Sequence, residues 1–104
     1  MDKGINITIN QYISLIKKTH KGIKRAFLFG SYAKNNERLD SDIDIALIFD
    51  KLNDSDKFDL QVQLMLLASQ IDSRIEPHPI SKEDFNSNSP FVIEIKRTGI
   101  EIKS

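Results

Sequence analysis

Apolar residues in the first twenty positions recur at helical spacing, with Ile5, Ile9, Tyr12, Ile13 and Ile16 on one stripe. With Thr8 as N-cap, the pattern predicts a helix from about Thr8 to His20, ended by Gly22. The period then changes. Lys24-Arg25-Ala26-Phe27-Leu28-Phe29 is short, apolar and bounded by glycines, which predicts a buried strand stopping at Gly30-Ser31. A polar stretch runs from Lys34 to Ser41, and Asp42-Ile43-Asp44-Ile45-Ala46-Leu47-Ile48-Phe49 then reads as a second strand. Its first half alternates acid and isoleucine while its second half is apolar throughout, so one end is expected to be polar and the rest buried.

Further along, Phe58, Val62, Met65, Leu66 and Ser69 fall on one stripe, widened by Leu60, Leu64 and Leu67. A helix capped by Asp54 or Ser55 is expected to pack that stripe on the core as far as about Gln70. Between Ile71 and Ile80, the run Arg74-Ile75-Glu76-Pro77-His78-Pro79 contains two prolines, which limit ladder hydrogen bonds, so it reads as a short strand with its far end at a sheet edge. Ser81 with Asp84 marks a helix start, and Ser89-Pro90 marks another, with Phe91 and Ile95 spaced to pack together before Gly99. Ile100 to Lys103 adds a last strand. The order helix, strand, strand, helix, strand, short helices, strand predicts an α+β or α/β sandwich, a single domain over residues 1–104.

Charge sharpens this picture. The 15 Lys and Arg cancel the 15 Asp and Glu, and a chain without basic excess is not built as a general binder of nucleic acid or anionic membrane. The balance hides a segregation: residues 1–36 carry net +6, residues 37–59 net −5 and residues 60–104 net −1. With no Cys there is neither a disulfide framework nor a thiolate metal site. No apolar run approaches the ~18 residues of a membrane span, and MDKGINITINQY lacks the apolar core of a signal peptide, so a cytoplasmic protein is expected.

The chemistry concentrates between Gly30 and Asp44. In a strand, residues two apart share a face, so Asp42 and Asp44 project together about 7 Å apart along the backbone. Two carboxylates on one face repel unless a cation sits between them, and a hard ion such as Mg²⁺ prefers such oxygen ligands. The same parity puts Arg74, Glu76 and His78 on one face of the later strand, making Glu76 a third ligand if that strand lies beside the second. His78, flanked by prolines, is read as structural or exposed, and the Phe residues as core. Gly30-Ser31 supplies the other half. A glycine at a strand end lets a phosphate approach the backbone, a following turn aims N–H groups at an anion, and the Ser31 hydroxyl adds a donor. Lys34 is either a solvated loop lysine or a phosphate contact, and Asp40 and Ser41 order the loop.

Gly-Ser, ten residues, then Asp-x-Asp resembles the signature of the polymerase β-like nucleotidyltransferases, and FGSYAKNNERLDSDIDIAL, from Phe29 to Leu47, resembles the minimal nucleotidyltransferases in particular. The resemblance implies an α+β fold, a small mixed sheet backed by helices. It implies that Gly30 and Ser31, with Lys34 beside them, bind the triphosphate of ATP. Asp42, Asp44 and Glu76 would be catalytic and would hold two Mg²⁺ ions. Many relatives have Ala-Arg-Gly where this chain has Ala33-Lys34-Asn35; Lys keeps the charge and Asn tolerates a left-handed backbone. Larger members add a helical domain that holds the acceptor, and this chain shows none. The resemblance therefore implies an external acceptor: a HEPN-domain toxin in a hetero-oligomer, whose tyrosine hydroxyl receives AMP from its antitoxin, as in a type VII-like toxin-antitoxin pair. The alternative is a binding module of the same fold that neutralises its partner by occlusion. Transfer to a small molecule or RNA end is disfavoured by the missing acceptor domain and the absent basic excess.

Overall fold

The computed structural model describes residues 3–35, 37–38 and 41–103, and its centre is a mixed four-stranded sheet. Strands β1 (Ile23–Phe29) and β2 (Ile43–Phe49) run antiparallel, and β2 pairs in parallel with β3 (Ile75–Ser81). Parallel neighbours need a crossover, which helix α2 (Asp54–Ile71) provides. The two-residue β4 (Ile100–Glu101) pairs antiparallel with β1, giving the order β3-β2-β1-β4. The sheet and its helices are α+β, and the expected last strand is present but short.

Helices cover both faces. On one side α1 (Lys3–Thr19) and α2 pack over Ala26, Leu28, Ile43, Ile45, Leu47 and Phe49. On the other, α3 (Lys82–Phe85) and α4 (Pro90–Thr98) bring Phe85, Val92 and Ile95 onto Phe27, Phe29, Ala46, Ile48 and Ile80. Period-two alternation along β1 and β2 thus feeds two cores, which is why the second half of β2 reads as apolar throughout. The buried Tyr12 hydroxyl donates to the Leu64 carbonyl at 2.8 Å and ties α1 to α2. Ser81 and Ser89 cap α3 and α4 as expected, accepting from the N–H groups of Asp84 and Val92.

Expectations for α1 and α2 need correction, and the N-cap position of α2 is held by Asn53, with Asp54 and Ser55 already inside the helix. Helix α1 begins at Lys3, not near Thr8, because Ile5 and Ile9 are buried with Tyr12, Ile13 and Ile16 and the helix must start early enough to bury them. In α2 the stripe expected to face the core is on the outside: Phe58 is 75% exposed and Leu66 61%, with Val62 and Met65 also exposed. Leu64 and Ala68 are buried instead, and Leu60, Leu67 and Ile71 pack against the core. The helix carries two apolar stripes of identical spacing, displaced by two residues and so on opposite sides, and periodicity alone cannot choose between them.

Candidate functional site

Topology gathers the candidate residues at one end of the sheet. Because β1 and β2 are antiparallel, the C-terminal end of β1 meets the N-terminal end of β2, with Phe29 opposite Asp44. Because β2 and β3 are parallel, the N-terminal end of β3 arrives there too, with Asp44 opposite Glu76 and Ala46 opposite His78. Asp44 and Glu76 are therefore neighbours on one face, and Asp42 shares a hydrogen bond with the Glu76 carboxyl. Partial desolvation, that hydrogen bond and the charges of Asp42 and Asp44 hold the Glu76 carboxyl above its ordinary range, with His78 opposing them.

His78 is the residue that sequence reasoning missed. Half-buried, it places Nε2 3.1 Å from Asp44 Oδ1, and Asp44, Glu76 and His78 each offer a ligand atom within 4.8 Å of the others. Its ring lies against Phe29 and Phe91, at centroid distances of 5.0 and 6.0 Å. The shared parity of Glu76 and His78 was the available signal; the flanking prolines pointed away from it. Phe91, expected in the core, is exposed at this edge of the site, while Phe29 is buried beneath the His78 ring. Arg74 leaves the face expected for it, pairing with Asp72 at 2.8 Å and donating to the Tyr32 hydroxyl at 3.2 Å.

The glycine turn closes over Asp44. Gly30 has φ +74°, and a Cβ there would lie 2.5 Å from Asp44 Oδ2. Glycine is thus favoured twice, by backbone conformation and because a side chain would push the carboxylate aside. The chain then bends through residues 31–35, the Lys34 N–H reaching the Gly30 carbonyl at 3.3 Å, and Asn35 takes a left-handed φ of +58°. N–H groups that precede the first bonded donor in such a bend are the ones open to an anion. Ser31 lies within this turn, partly exposed. Lys34 is exposed and its Nζ pairs with Glu94 of α4 at 3.0 Å. Ser41 orders the loop, accepting from the Arg38 N–H at 2.7 Å, whereas Asp40 lies outside the described residues. Chemically, this end of the sheet can hold a cation among carboxylates and an anion against the turn, the pair of tasks that a nucleoside triphosphate with its metal sets.

A domain of this architecture with this site falls in one class by comparison. The family described as Polymerase beta, Nucleotidyltransferase matches residues 10–104, and the chain belongs to it. Among solved structures, a toxin-antitoxin with AMP-PNP is 25% identical, with 91% of this chain and 72% of that chain covered at a TM-score of 0.63. The tri-AMPylated Shewanella oneidensis HEPN toxin in complex with MNT antitoxin is 21% identical, with 94% and 71% covered at 0.61. A Sulfolobus solfataricus protein described as a nucleotidyltransferase is 17% identical, with 92% and 77% covered at 0.64. No curated protein sequence gives a significant match. Among the described residues, no helix is long and apolar enough to cross a membrane.

Proposed function

We propose that the chain is a minimal nucleotidyltransferase that acts as an antitoxin in the cytoplasm: a hydroxyl of a HEPN-type toxin bonds to the α-phosphorus of ATP, the bond to the β-phosphate breaks, and pyrophosphate leaves as AMP is transferred. The observation that carries this is the meeting of Asp42, Asp44 and Glu76 beside the Gly30 turn, whose φ of +74° favours glycine. The donor set fits a hard divalent cation: carboxylate oxygens dominate it, and the Asp42 and Glu76 carboxyls lie within hydrogen-bond reach of each other. Mg²⁺ bound there would neutralise phosphate charge and acidify the acceptor hydroxyl.

The chain's own residues divide the work. Asp42, Asp44 and Glu76 hold the cation, and Gly30 and Ser31 hold the phosphates through backbone N–H groups and the Ser31 hydroxyl. Lys34 reaches phosphate by leaving Glu94. Glu76, the carboxylate that β3 brings opposite Asp44, takes the acceptor's proton as general base. Most of the acceleration comes from positioning and charge neutralisation. A protein acceptor is supported by the exposed stripe of α2, since contiguous apolar surface on a small domain marks an interaction site. It is supported further by the likeness to an AMPylated toxin bound to its antitoxin.

The test is incubation with α-labelled ATP, Mg²⁺ and a cognate HEPN protein, followed by intact-mass measurement. AMP should appear on the partner and should be lost with Asp42→Asn or Asp44→Asn. Full neutralisation of the partner by the double variant would show occlusion to be sufficient and overturn transfer as the essential mechanism.

A further inference from the structure

We propose that His78 is a ligand of the catalytic cation, so that the site is a mixed nitrogen and oxygen site favouring Mn²⁺ and later transition ions over Mg²⁺. This rests on the metal-dependent reading above and concerns a residue that reading does not use.

The geometry is that of a ligand set. In an octahedral site with bonds of about 2.1 Å, adjacent donor atoms lie about 3.0 Å apart and opposite ones about 4.2 Å apart. His78 Nε2 and Asp44 Oδ1 are 3.1 Å apart, an adjacent-donor spacing, and a cation can replace the proton between them without moving either strand. Glu76 offers a third donor, the three atoms lying within 4.8 Å of one another, so that a small side-chain adjustment brings all of them inside the opposite-donor span. The backbone explains why the imidazole reaches Asp44. His78 stands opposite Ala46, whose methyl group leaves room for the ring to lean along β2 toward the carboxylate. Phe29 and Phe91 flank the ring and restrict its rotation, so little freedom is lost when Nε2 binds. Mg²⁺ takes oxygen ligands almost exclusively, whereas affinity of a nitrogen-containing site rises from Mn²⁺ along the transition series. One imidazole in place of water or a carboxylate therefore tilts selectivity.

Mn²⁺ is the probe, because its electron spin reports bound nitrogen directly. Pulsed electron paramagnetic resonance of the Mn²⁺-loaded full chain should show modulation from a directly coordinated ¹⁴N. His20, the other histidine, lies against α2 with its Nε2 2.9 Å from Gln63 Oε1, and His20→Gln should leave the signal intact. His78→Gln keeps a donor for Asp44 but offers the metal only oxygen. It should abolish the modulation and weaken Mn²⁺ by about ten- to a hundredfold, with little change for Mg²⁺ measured in competition. Saturable Mn²⁺ binding that requires Asp44 but shows no nitrogen modulation would overturn the assignment of His78 and leave the metal reading standing. No saturable Mn²⁺ binding at all would overturn both.

Discussion

Gly30 answers two demands at one position, and they can be separated by substitution. A side chain at φ +74° is strained, and its Cβ would displace the Asp44 carboxylate. Gly30→Ala should cost about 1–3 kcal/mol in urea unfolding and should also weaken metal binding. At Gly22 a Cβ would meet Phe49 Cδ1 at 3.9 Å, an ordinary contact, so Gly22→Ala should stay within about 0.5 kcal/mol of the parent. Equal effects of the two would mean that the turn does not depend on its glycine. Gly30, Asp42 and Asp44 were legible in the sequence because their relation is local: a strand end, a fixed spacing and side-chain parity. Asn35 was legible for the same reason, its left-handed backbone following from residue chemistry. His78 was not. Its neighbour Asp44 is 34 residues away, and they meet only because β2 and β3 pair in parallel in one particular register.

At the scale of elements, α2 shows where hydrophobic periodicity stops being informative. Residues 58, 62, 65, 66 and 69 and residues 60, 64, 67, 68 and 71 make two stripes of the same spacing, and only tertiary packing selects the second. Leu64→Ala, at a fully buried position, should destabilise by about 2–5 kcal/mol. Phe58→Ser, on the exposed stripe, should change the stability of the free chain by less than about 0.5 kcal/mol in the same unfolding titration. The reverse ranking would mean that α2 packs with its other side inward. Where polar residues mark the ends, as at Ser81 and Ser89, the elements were readable from sequence because a hydroxyl and the N–H it caps lie three residues apart. At α1 the marker misled, because Thr8 has the chemistry of a cap but lies inside the helix, whose first turns bury Ile5 and Ile9.

For the whole molecule, formal neutrality conceals ion pairs that link distant parts of the chain. Arg25 of β1 grips Glu101 of β4 through two hydrogen bonds of 2.9 Å, and Lys103 adds a contact at 3.3 Å. These partners depress the Glu101 carboxyl to about 2. Because its folded value lies below the unfolded one, its stabilising contribution is complete above the ordinary Glu range. It disappears as pH falls through about 2. Arg25 is about half exposed, so the contribution is screened to about 1 kcal/mol or less. Glu101→Gln should accordingly lower the melting temperature by a few degrees at pH 6, and the gap to the parent should close as both approach pH 2. A gap independent of pH would assign the effect to packing. The sequence predicted the element order and an α+β or α/β sandwich, but not the strand order β3-β2-β1-β4, which depends on which edges pair once the chain has collapsed.

The strand that carries Glu76 and His78 forms an outer rim of the sheet, and exposed rims ordinarily invite aggregation by pairing with any extended chain. Here the rim offers few N–H donors to pair with. The Ile75 N–H is taken by the Asp72 carbonyl, Pro77 and Pro79 have no N–H, and the Pro77 carbonyl accepts from the Gln61 side chain. A visiting polypeptide therefore finds few N–H donors with which to add itself as a fifth strand beside the acidic cluster. Were the proposed transfer to take place here, the acceptor would arrive as a protruding side chain and not as an added strand.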